Sequence, residues 1–304
     1  MKNLVMGFAT NQSEESMRIF CQSLRDVYRH DECDVVIITN RHEDYFCDLA
    51  GQGVRFEFTP NNYAKCTSRT SKAVSRSVLH ALRLFCRLNG RKWLPEIADA
   101  YYYLIEMWHH PQLARWFAYR RMLSLNRNYR QVFLADVKDV VFQSPFFVVA
   151  PEEKVILFSD GSCYGESFWN DKWYREAYGE EALREVAGRF PVCVGTMLAT
   201  HQMVLRILDE FTGYMARSPF GRIEQAIFNY MLHNSLFTAK VEVAPNISGI
   251  VATLAGKDGD RSVGVSDGAI RRTRDNSTIP VVHMYDRWPE LNLFCQSEYG
   301  GSSP

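Results

Sequence analysis

The sequence has no CxxC pair, no long uncharged apolar run, no excess of either charge and no glycine-rich phosphate loop. Its eight cysteines, at 21, 33, 47, 66, 86, 163, 193 and 295, are scattered, which disfavours a structural zinc site or a dithiol redox pair. Reduced, mostly buried thiols in a cytoplasmic protein are the expectation. No stretch approaches the roughly 20 apolar residues needed to span a bilayer, so no transmembrane segment is expected. The opening MKNLVMGFAT breaks at Thr10 and Asn11 and reads as a buried strand rather than a signal peptide. With 35 basic and 35 acidic residues the formal net charge is zero, which argues against nucleic acid as the main partner. GxGxxG after the first strand, GxxxxGK[ST], HExxH and GxSxG are all missing, which sets aside their associated chemistries.

What is present is ample apolar material, 46% of 304 residues, enough for one large α/β unit spanning 1–304. Residues 3–9, 34–39 and 54–58 read as strands, with a helix between the first two carried by Met17, Phe20, Cys21, Leu24 and Val27. That pace predicts a mostly parallel, Rossmann-like sheet with helices on both faces and ligands at the strand ends. Residues 63–128 read as a helical insertion, broken near Asn89 and Gly90 and again at Pro111. Strand character returns at 131–142, 154–159 and 192–198, and helices are expected at 200–215 and 221–233. The remainder reads as a small mixed β region, with 256–278 as a loop or lid.

The chemistry concentrates in FLADVKDVVFQSPF, residues 133–146. Asp136 and Asp139 are carboxylates in a buried strand context, costly unless they meet a cation or hydrogen-bond donors. A divalent cation shared with a diphosphate would satisfy them, and so would an ordinary turn in which they pair with Lys138. His283, in TIPVVHMYDRWPEL, is a candidate metal or phosphate ligand. Arg115, Arg120 and Arg121 flank aromatics ahead of the aspartate strand and could grip a diphosphate, although at least one should belong to a solvated helix face. His109 and His110 are adjacent, do not share a helix face and are poor evidence for zinc. Trp169, Asn170, Trp173 and Tyr174 could shape a sugar pocket.

These segments together resemble the GT-A fold glycosyltransferases of bacterial polysaccharide or envelope-glycan type. The resemblance runs through NLVMGFATNQSEESMRIFCQSL, FLADVKDVVFQSPF, PVCVGTMLAT (191–200), IEQAIFNYMLH (223–233), PNISGIVATL (245–254) and IPVVHMYDRWPEL (279–291), in the expected order. It implies a GT-A, nucleotide-diphospho-sugar transferase fold, a nucleotide-sugar donor with UDP favoured, and Mn²⁺ or Mg²⁺. It further implies a glycan or lipid-linked saccharide acceptor, worked on in the cytoplasm or peripherally at the inner membrane face. Asp136, Asp139 and His283 would then hold the metal. Thr10, Arg115, Arg121 and Lys138 would border the donor, with Gly7 to Thr10 facing the nucleotide. Cys193, Gly195 and Thr196 would border the sugar, and Glu224 with Gln225 would start a helix near the reacting centre. Asp139 and Glu224 are the expected catalytic residues, Glu224 as a base if transfer inverts the anomeric centre. The chain departs from the family in having Lys138 where an aspartate-any-aspartate motif needs Asp, and Glu224 where Asp is usual. A nucleotidyltransferase fits less well, because ATNQSEES follows the first strand where a glycine-rich, basic phosphate loop is expected. A noncatalytic carbohydrate- or nucleotide-binding protein is the alternative of a different class.

Overall fold

The computed structural model describes the chain apart from residues 42–46, 64–68, 90–94, 126–128, 148–153, 220–222, 256–261 and 302–304. β1 (Lys2–Ala9), α1 (Glu14–Val27), β2 (Cys33–Thr39) and β3 (Val54–Phe58) follow one another as the apolar pattern predicts, with a short α2 (Cys47–Gly51), not expected from the pattern, between β2 and β3. Three helices come next, α3 (Arg69–Asn89), α4 (Pro95–Trp108) and α5 (Pro111–Leu125), and they lead into β4 (Tyr129–Asp136) and β5 (Val140–Phe142). Pro111 opens α5, where the missing N–H costs nothing.

β6 (Lys154–Ser159), α6 (Phe168–Tyr178), α7 (Glu180–Glu185), β7 (Val192–Thr200), α8 (His201–Arg217), α9 (Glu224–His233) and β8 (Lys240–Ala244) complete the main layer. The C-terminal part comprises β9 (Val251–Thr253), β10 (Val263–Ser266), β11 (Ala269–Arg272), β12 (Val281–His283), a 3₁₀ turn (Tyr285–Arg287) and α10 (Pro289–Tyr299). Residues 263–272 of the expected lid form a hairpin whose Val263 and Ile270 are buried, while 256–261 lie outside the described residues.

The seven-stranded sheet has the order β3-β2-β1-β4-β7-β6-β8. All its pairings are parallel except those of β7, which runs antiparallel to both β4 and β6. The ends of β1, β4 and β6 and the start of β7 therefore share one edge of the sheet, and the site lies there.

Side-chain alternation separates two cores. Leu4, Met6, Val132 and Leu134 face one cluster with α5 and α8, whereas Val5, Phe133 and Ala135 face another with α1. α5 is buried on every side, from Leu113 through Tyr119, because the sheet lies on one side and α4 and α8 on the others. Arg115 in that stretch is consequently a charge inside the core.

A second sheet, β5-β12-β9, closes the site from the C-terminal side. Its antiparallel register sets His283 opposite Val140, one residue beyond Asp139. Met284 adopts a left-handed conformation (φ 66°), and its N–H donates to the Asp139 carbonyl at 2.7 Å. That strained link ties the end of β12 to the aspartate turn.

Candidate active site

Asp136 ends β4 and Asp139 follows one turn later, so both carboxylates emerge where the strand leaves the core. His283 Nε2 lies 3.8 Å from Asp136 Oδ2 and 3.5 Å from Asp139 Oδ1. One donor atom from each of the three residues falls within 4.8 Å of the other two. His283 Nε2 and Asp139 Oδ1 are both buried without a hydrogen-bond partner among the described residues. Two carboxylates and an imidazole around unsatisfied buried atoms fit a divalent cation by number and by chemistry.

The surroundings orient the ring. His283 Nδ1 lies 3.7 Å from Cys193 Sγ, an orientation that turns Nε2 towards the aspartates. Burial works against a charged ring, but Cys193 and Asp139 together push His283 well above its ordinary range. Burial likewise opposes the charge on Asp139, yet His283, Lys138 and Arg287 bring it below the usual carboxylate range.

Gly195 is required beside this cluster. A Cβ there would stand 2.4 Å from His283 Cε1 and 2.8 Å from Asp136 Oδ2. Glycine at this point of β7 thus leaves the space that the three ligands share.

Arg115 joins the cluster to α9. Its guanidinium pairs with Asp136 Oδ1 and reaches Glu224 Oε1 at 3.4 Å. Burial raises Asp136, opposed mainly by Arg115; burial also raises Glu224, again with Arg115 opposing. Glu224 is the first residue of α9, where the helix N-terminus also favours a carboxylate.

A cleft of about 300 Å³ is lined by Arg115, Asp136, Asp139 and Glu224 together with Thr10, Lys138, Trp173 and Arg287, while His283 lies fully buried behind the two aspartates. Lys138 Nζ donates to Asp286 Oδ2 at 2.7 Å on the rim, so in this conformation its charge is directed to Asp286. Cys193, Gly195 and Gln225 line the cleft as expected. Thr196, also expected there, is fully buried.

Several predicted residues belong elsewhere. Arg121 is not brought to the cleft: its guanidinium donates to both carboxylate oxygens of buried Glu106, at 2.7 and 3.0 Å, and to the Phe58 carbonyl. Its alternation along α5 turns it away from Arg115. Arg120 pairs with Asp99 and Asp209 on the outer surface. Arg121→Ala is therefore expected to cost about 2 kcal/mol of stability by stranding Glu106, with donor affinity unchanged; thermal unfolding and titration on the same sample check this. Gly7 is packed against Val137, whose side chain a Cβ there would strike, and it is not among the residues lining the cleft. Tyr174 is buried in a satellite core, and Trp169 is exposed outside.

Sequence reasoning missed Asp160, which follows β6 on the same sheet edge and is buried. Asn170 donates to its carboxylate, and Gln225 donates to Asn170 Oδ1 at 2.6 Å, linking α6 to α9. The signal was available: an aspartate directly after the buried strand KVILFS, the same context that marks Asp136.

No family model matches the chain, and no curated protein matches it either. Among solved structures it is similar to the galactosyltransferase LgtC in complex with donor and acceptor sugar analogs. Identity is 14%, TM-score 0.53, and the match covers 99% of this chain and 97% of that one. An active-site variant of LgtC matches equally. The glycosyltransferase GlyE of Streptococcus pneumoniae TIGR4 matches over all of this chain and 61% of its own, with 11% identity and a TM-score of 0.51. The chain thus has the GT-A fold.

Proposed function

We propose that the protein is a glycosyltransferase that moves a sugar from a nucleotide-diphosphate donor, most simply a UDP-sugar, to a hydroxyl of a glycan or lipid-linked saccharide, with Mn²⁺ or Mg²⁺. The observation carrying this reading is the convergence of Asp136, Asp139 and His283 within 4.8 Å at the sheet edge of a GT-A fold. Those three residues would hold the cation, which when bound supplies charge neutralisation for the donor diphosphate and its departing nucleotide. Arg287, with Lys138 beside it, adds positive charge at the rim of the same cleft.

Arg115 fixes Asp136 on one side and Glu224 on the other, so it sets the spacing between the cation ligands and the start of α9. Glu224 and Gln225 line the cleft and offer polar groups for sugar hydroxyls, with Gln225 held by Asn170 behind it, and the Trp173 ring in the cleft wall suits a sugar C–H face. For inverting transfer Glu224 is the base, its affinity for a proton increased by burial. For retaining transfer it orients the sugar instead.

Glu224→Gln keeps the shape and the helix start. Turnover is expected to fall on the order of 100-fold with little change in donor affinity if Glu224 is the base. Steady-state transfer alongside calorimetric donor titration reads this, and undiminished turnover removes Glu224 from that role. Among the described residues no helix is long and apolar enough to cross a membrane.

A further inference from the structure

A second cavity, of about 430 Å³, opens beside the cleft and shares Gln112, Ile223 and Glu224 with it. It lies between Tyr63, α3, the turn from α4 into α5 and the first residue of α9. Its wall is apolar and aromatic, from Tyr63, Leu79, Trp108 and Leu113, and it includes His109 and His110. The volume lies in the range of small-molecule sites.

The two imidazoles have a defined state. The His110 backbone N–H donates to His109 Nδ1 at 2.8 Å, and the Gln112 N–H donates to His110 Nδ1 at 3.3 Å. A ring nitrogen that accepts carries no proton, so each neutral ring has its N–H at Nε2. Burial pushes His109 down to about 4, helped by neighbouring His110 and Arg76, and burial lowers His110 as well. Both rings are thus uncharged N–H donors near neutral pH. The Tyr63 ring stands edge-on to His110, centroids 5.1 Å apart. Arg76 supplies positive charge on this wall but is exposed.

We propose that this cavity binds a neutral saccharide and serves as the acceptor subsite. Aromatic and aliphatic faces match the C–H surface of a sugar ring, and the neutral N–H of exposed His110 matches its hydroxyl oxygens. The order along the molecule supplies the role: cation cluster, then Arg115 and Glu224, then the cavity. With the diphosphate at the first and the transferred sugar at the second, the third position faces the reacting centre from beyond Glu224. A substituent on the donor sugar would leave most of a 430 Å³ space unfilled, whereas the space is large enough to admit a whole saccharide ring. The acceptor role rests on the transferase reading; saccharide binding itself does not.

The test is saturation-transfer NMR on the full chain, with maltose, lactose and diacetylchitobiose as neutral probes and glucuronic acid and glucose 1-phosphate as anionic ones. His110→Leu removes an exposed N–H donor, and Trp108→Ala removes part of the wall; UDP with Mn²⁺ is titrated in parallel. Expected is binding of at least one neutral probe, weakened about tenfold or more in both variants while UDP affinity holds. If Trp108→Ala does not fold, the comparison stands on His110→Leu. No neutral binding by the folded wild type, binding confined to the anionic probes, or equal affinity in the variants overturns the proposal. Saccharide binding that responds to the variants without any UDP binding keeps the subsite and discards the transferase reading instead.

Discussion

Replacing Asp139 or His283 by alanine is expected to weaken Mn²⁺-dependent binding of a nucleotide diphosphate on the order of 100-fold or more, while the protein stays folded. The argument is one of unmet demand. Asp139 Oδ1 and His283 Nε2 are buried, have no close hydrogen bond among the described residues and meet each other only at 3.5 Å, so either substitution removes no more than that one long contact at those atoms. A structural pair would behave differently, since breaking a well-made buried contact lowers stability first. Gly195→Ala should have the same effect without replacing a ligand residue, because its methyl group would press on His283 and on Asp136 Oδ2. Calorimetric titration with and without Mn²⁺, beside thermal unfolding of each variant, separates the cases. Loss of stability with unchanged nucleotide affinity would sink the cation assignment.

Arg115→Met should act mainly on the fold. The guanidinium is about 10% exposed and pairs with two carboxylates, one of them the nearly inaccessible Glu224. Methionine preserves much of the length and apolar stem but leaves Asp136 and Glu224 facing each other without a cation. Breaking a buried ionic group in this way costs about 3–5 kcal/mol. The expected result is a clear drop in the denaturation midpoint together with loss of activity. Adding Glu224→Gln should recover part of the stability, because one of the two stranded charges is gone, and should recover none of the turnover. Identical midpoints for the single and double variants would show that Arg115 and Glu224 are not coupled.

The strand and helix pattern was readable because it follows local periodicity. Met17, Phe20, Cys21 and Leu24 mark the buried face of α1, and DVVIIT marks β2. Pro111 marked the break between α4 and α5, and the stretch 131–142, read as strand, is divided by the turn between β4 and β5 that carries Lys138 and Asp139. The reversed direction of β7 within the sheet was not readable, since a buried run such as VCVGTMLAT has the same composition either way. The final helix, Pro289–Tyr299, was missed because only Leu291 and Cys295 are buried along it, too few to give a pattern.

Within the site, Asp136, Asp139 and His283 were identified individually, but their meeting depends on the β5–β12 register, a long-range pairing that no local spacing encodes. Arg115 and Arg121 show the same limit from the other side. Both lie on α5 among similar neighbours, and only packing decides that one reaches Asp136 and the other Glu106. Asp160 had the same local context as Asp136 and went unnoticed, because no second carboxylate beside it drew attention.

The most direct test of the central claim is calorimetric titration of the folded wild-type chain with UDP, GDP and their sugar derivatives, in the presence and absence of Mn²⁺. The account predicts saturable binding of at least one nucleotide diphosphate that requires the cation and disappears on chelation. Binding of none of them by folded protein would contradict it, and would leave a GT-A fold serving as a noncatalytic binding protein.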